Sequence, residues 1–118
     1  MHPSDKSLTR VAYLFVVLFL VAASQLAFGQ NSRAFNFANI SGSMLGKATH
    51  CGFPTDEFAR EAGRVIDLYA VNNLDRKAAI EQFTLSATMS ARSGPVGESC
   101  SAFRGGYLES LRDLKATR

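Results

Sequence analysis

Apolar residues recur at helical spacing in four stretches of the chain, separated by glycine, proline and asparagine. The first stretch, about 33–51, carries Phe37, Ile40, Met44, Ala48 and Cys51 at spacings of 3, 4, 4 and 3. Positions three and four apart share one face of an α-helix, so these five predict a buried stripe. Gly42 and Gly46 lie inside the stretch. Each weakens the helix by about 1 kcal/mol relative to alanine, and each lets a neighbouring helix approach closely. Gly52-Phe53-Pro54 ends the stretch, with a glycine just past the helix and a proline soon after.

The second stretch opens at Thr55, a residue able to cap a helix, followed by the acidic pair Asp56 and Glu57 in the first turn. Phe58, Ala62, Val65, Ile66 and Tyr69 form one face; Glu57, Arg60, Glu61, Arg64 and Asp67 form the other. Alternating charges at this spacing mark a solvated face, so Glu57 and Glu61 are not read as paired catalytic carboxylates. Asn72-Asn73 ends the segment. The third stretch, about 75–92, places Ala79, Ile80, Phe83, Ala87 and Ala91 inward and stops at Ser93-Gly94-Pro95. The fourth, about 96–115, has the clearest pattern: Val96, Cys100, Phe103, Tyr107, Leu111 and Leu114. No alternating pattern of useful length predicts a strand. The expected fold is all-α, a small four-helix bundle-like domain.

The N-terminus changes how the cysteines are read. Lys6 and Arg10 precede an uncharged run, 11–29, that begins apolar and ends in small residues at Ala27 and Gly29. A basic region, an apolar region and a small-residue end form the order of a secretory signal peptide. Residues 1–29 are therefore expected to be a signal peptide cleaved after Gly29, and 30–118 a single helical domain. If the segment were kept, its 19 residues would nearly span a bilayer and anchor the protein. The expected destination is the Gram-negative periplasm or the exterior.

Cleavage would remove Lys6, Arg10 and Asp5, leaving 11 basic against 9 acidic side chains. That balance is ordinary. No basic run or stacking aromatic series points to nucleic acid, and no pattern points to a cofactor. A domain this small buries only about 60–65% of its unfolded surface, which makes a covalent staple useful.

The chain holds two cysteines, Cys51 and Cys100. In an exported protein an even count reads as a disulfide. Cys51 ends the first predicted helix and Cys100 begins the fourth. In an up-down-up-down arrangement both lie at the same end of the bundle. Competing chemistry fits poorly. His50 and Cys51 are neighbours in sequence, and neighbours on a helix do not face each other, as a nucleophile and its base must. One histidine and two distant cysteines match no zinc spacing, and neither C-x-x-C nor C-x-x-C-H occurs. His50 is expected to act only as a polar residue near a helix C-terminus.

The stretch CGFPTDEF at 51–58, followed by a charged amphipathic helix, then Cys100 and a last helix ending near Lys115, resembles the HdeA-like acid-stress periplasmic chaperones. The tryptophan expected before the first cysteine of that family is absent, because this chain has none. The resemblance implies a protein that holds unfolded clients at low pH after a dimer opens. The stretch CSAFRGGYLESLRD at 100–113 loosely resembles small exported helical immunity proteins that block toxins, with a different spacing.

The reading that follows is a non-enzymatic exported interaction protein, a stress chaperone or a partner-binding module, with a protein partner and neither cofactor, metal nor nucleic acid. Its candidate interaction surface is Phe35, Phe37, Met44 and Met89. The alternatives are a small thiol-based redox protein or enzyme using Cys51, and a membrane-anchored subunit.

Overall fold

A computed structural model of the chain describes residues 32–118. They form α1 (Arg33–His50), α2 (Asp56–Tyr69), α3 (Asn73–Ser93) and α4 (Cys100–Ala116). Among the described residues there is no strand, and Cys51 and Cys100 are bonded. The fold is therefore the small all-α, four-helix, one-disulfide domain expected from the sequence. The segment 1–29 lies outside the described residues. Among those described, no helix is long and apolar enough to cross a membrane.

Three helix starts are set by side-chain caps. Ser32 accepts from the backbone N–H of Phe35, Asn72 from Asp75 and Ser99 from Ala102. Each cap residue is extended, which aims its oxygen at the first free N–H groups. Thr55 does not cap in this way. Its backbone, at φ −122° and ψ −9°, is not extended, and its hydroxyl accepts no bond from the helix. The first turn of α2 relies instead on Asp56 and Glu57, whose charges suit the helix N-terminus.

α1 is central. It packs against the other three helices, as α2 does, while α3 and α4 do not touch as helices. The cross-section is thus a diamond with α1 and α2 across its short diagonal. Ala48, Phe58, Ala62, Val65, Phe103, Tyr107 and Leu114 form the larger core, between α1, α2 and α4. A smaller one, Ala34, Ala38, Ile66 and Ala79, lies between α1, α2 and α3. Phe37 packs on both and meets Tyr69 edge to face at 5.6 Å.

α1 and α3 run parallel and unusually close. A Cβ added at Gly42 would strike the Phe83 carbonyl oxygen, and one at Gly46 the Ala87 oxygen. The two glycines are required by the approach of the α3 backbone, which answers why they interrupt an otherwise helical sequence. Asn39, Gln82 and Ser86 form a hydrogen-bonded cluster beside this seam, and Ser43 meets Ser90 at 3.0 Å.

Three predicted inward positions face water. Ile40 is 69% exposed, because the stripe that contacts the core runs through Ala34, Ala38, Ser41 and Ala48. Ile80 is 37% exposed, because Ser86 rather than an apolar residue faces α1. Val96 is exposed because α4 begins four residues later, after a turn at Gly97 with φ +79° and the Ser99 cap.

Candidate functional site

The bonded cysteines, 5.6 Å apart at Cα, join the end of α1 to the first residue of α4. This fixes the Phe53-Pro54 turn against α4. Four aromatic rings pack beneath it: Phe53 stacks on Phe103 at 6.2 Å, and Tyr107 lies 5.1 Å from Phe58 and 5.9 Å from Phe53. Such pairs contribute about 0.5–1.5 kcal/mol each beyond the area they bury. The Tyr107 hydroxyl donates to the Pro54 carbonyl oxygen at 2.9 Å, tying the turn to α4 a second time. Burial, and secondarily the charge of Glu57, hold the Tyr107 phenol above its ordinary ionisation range.

A groove of about 740 Å³ opens beside this cluster. Phe53, Tyr107, Leu108 and Leu111 supply apolar surface, with Arg60 and Arg104 along it. Leu108 is 45% exposed. Glu57, also at the groove, is ion-paired with Lys115. Among the described residues, neither Arg60 nor Arg104 has a carboxylate within ion-pair distance. The groove has the dimensions of a ligand site. It escaped the sequence reading because its walls come from three separate segments. The available signal was Leu108, an apolar residue adjoining the inward stripe of α4.

His50 is the last residue of α1 and is exposed, as its position implied. It also reaches across to α3, where its Nδ1 donates to the Ala91 carbonyl oxygen at 3.0 Å. Its ring covers Gly94, whose φ is +69°. His50 thus latches the two C-terminal helix ends together and is turned away from any pairing with Cys51, whose sulfur is bonded to Cys100.

The four residues expected to form an interaction surface are distributed. Phe37 is committed to the two cores, and Phe35 is half-buried. Met44 packs against the larger core but borders two shallow hollows that also contain Ile40. Met89 is 61% exposed on α3. It follows Gln82 by two helical turns, with Leu85 between, so all three lie along one flank of α3. Gln82 bonds Asn39 of α1, which places that flank on the side of α1 where Ile40 stands. Leu85 and Met89 are thus exposed together on one flank of α3, and Ile40 is exposed on α1, where it adjoins Met44.

Among the described residues no group of three or more His, Cys, Asp or Glu could hold a metal ion. No family model, curated protein or solved structure matches the chain.

Proposed function

We propose that the chain is a non-enzymatic exported interaction protein that engages a protein partner through the outer flank of the α1–α3 pair. The observation that carries this reading is the exposure of Ile40, Leu85 and Met89 on one side of a tightly locked helix pair. Exposed apolar side chains gathered on one side of a small domain mark an interaction site. Leu85 and Met89, four apart, form a ridge of the kind that packs against another helix. The expected occupant is therefore an amphipathic helical segment of a partner, or of an unfolding client if the protein acts as a stress chaperone. The polar cluster of Asn39, Gln82 and Ser86 beside the ridge keeps the pair closed while the ridge is used.

Aggregation of an acid-unfolded client should be suppressed by the exported protein at acidic pH, at neutral pH, or at both. Leu85→Glu combined with Met89→Glu should abolish suppression and leave the melting temperature nearly unchanged, since both side chains are exposed. Absence of suppression at both pH values would remove the chaperone form of the reading. Intact mass of the exported protein checks the location: loss of residues 1–29, together with the two hydrogens of the disulfide, is the expected result.

A further inference from the structure

We propose that the groove beside the staple binds a small amphipathic acid, an aliphatic or aromatic body ending in a single carboxylate. The site is separate from the α1–α3 flank and does not depend on its use. Three observations combine here. The groove encloses about 740 Å³, within the usual range for small-molecule sites. Its apolar surface comes from Phe53, Tyr107, Leu108 and Leu111, and the one hydroxyl among them is already bonded to Pro54. An apolar body therefore loses no polar partner on entering.

Charge decides which amphiphile fits. Four charged residues adjoin the groove: Asp56, Glu57, Arg60 and Arg104. Lys115 neutralises Glu57. That leaves two arginines against Asp56, and among the described residues neither arginine is within ion-pair distance of a carboxylate. A guanidinium offers a planar fork of N–H donors that matches a carboxylate. With Arg60 and Arg104 against Asp56, the balance along the groove favours an anion over a cation of the same shape. The walls are held in place before binding by the Cys51–Cys100 bond and the Tyr107–Pro54 hydrogen bond, so little ordering is needed.

The probe is dodecanoate below its micellar concentration, titrated into isotope-labelled exported protein and followed by amide chemical shifts. Saturable shifts are expected at Phe53, Tyr107 and Leu108 and not at Leu85 or Met89. Dodecylammonium, with the same chain and opposite charge, should bind at least about tenfold more weakly, about 1.4 kcal/mol. Arg60→Gln with Arg104→Gln should erase that preference, and Arg60→Lys with Arg104→Lys should keep much of it. Equal binding of the two amphiphiles, shifts centred on α3, or a double glutamine variant that still prefers the anion would overturn the proposal. A short peptide with a leucine and a C-terminal carboxylate provides the remaining arm. Its displacing dodecanoate at lower concentration than free acids do would reassign the groove to protein segments and likewise overturn the proposal.

Discussion

Beneath the Cys51–Cys100 bridge, large rings fill the space between helices, with Phe58, Phe103 and Tyr107 all buried. Along the α1–α3 seam the space scarcely exists, and two glycines lie directly against the opposing backbone. Both regions join α1 to a later helix. The first does so by apolar area, aromatic contact and a covalent bond. The second does so by close backbone approach and by hydrogen bonds among Asn39, Gln82, Ser86, Ser43 and Ser90. The difference implies opposite sensitivities. The stapled end should be hurt by removing atoms, and the seam by adding them.

The largest expected loss tests the staple. A bridge closing a loop of this length, with cysteines separated by 49 positions, contributes roughly 4 kcal/mol in the chain-entropy account. Cys51→Ser and Cys100→Ser should each destabilise the domain by about 2–5 kcal/mol. The double substitution should cost no more than either single one, because both remove the same crosslink. Urea melts of the four proteins decide this, and additive losses would mean that each cysteine has a role beyond the bridge.

Next comes the seam. Gly46→Val puts a branched side chain where even a Cβ meets the Ala87 oxygen and lies 2.6 Å from the Ser90 Cβ. Overpacking of this kind costs about 1–3 kcal/mol, with added helix separation. Gly63 in α2 is the control, since a Cβ there meets nothing within 4 Å. Gly63→Ala should be neutral or stabilise by up to about 1 kcal/mol through helix propensity and unfolded-state entropy. If both glycine substitutions had the same sign, close approach would not explain Gly46.

Tyr107→Phe probes the second tie of the stapled end. It deletes the hydroxyl that bonds Pro54 and should cost about 1 kcal/mol at neutral pH. The substitution also changes the alkaline limb. Tyr107 keeps its proton in the folded state to higher pH than in the unfolded chain. Over that interval the unfolded chain releases its proton first, so stability falls as pH rises from about 10, the ordinary tyrosine value, through the higher folded one. The Phe variant should lack this part of the decline. Parallel slopes for the two proteins in the alkaline range would show that Tyr107 is not its source.

Much of the stapled end was legible in the sequence. Two cysteines on the apolar faces of the first and fourth predicted helices, at the same end of the bundle, are enough to pair them. Phe103, Tyr107 and Leu114 followed from spacing because a large residue at helical period has one place to go. The seam was legible only in part. Gly42 and Gly46 signalled a close neighbour, but not which helix would supply it. The inward face of α3 carries Ser86 and Ala79, so apolarity alone misassigned Ile80 and left Leu85 unremarked beside Met89. A helix that packs through small and polar side chains does not announce its buried face by hydropathy. The groove was not legible, because its arginines and leucines meet only after the disulfide brings the turn and α4 together.

The smallest expected effect concerns the point where the two regions adjoin. His50 directly precedes Cys51, yet it is bonded to α3 and not to the stapled helix. Its hydrogen bond satisfies a carbonyl in the last turn of α3 and is exposed to water, so its net contribution is about 0.5–1 kcal/mol. His50→Ala should cost that much and leave the disulfide intact. Gly94→Ala should cost more, for two reasons: φ at that position is +69°, and the new methyl would meet the His50 ring. Only the second reason disappears when the ring is removed. Gly94→Ala should therefore be less damaging in the His50→Ala background than alone, whereas independent effects would simply add. Urea melts of the two single variants and the double variant separate these outcomes. Strict additivity would mean that the ring yields freely to the added methyl and that His50 acts through its helix end alone; a shortfall from additivity would fix His50 as the contact that carries α3 up to the stapled end.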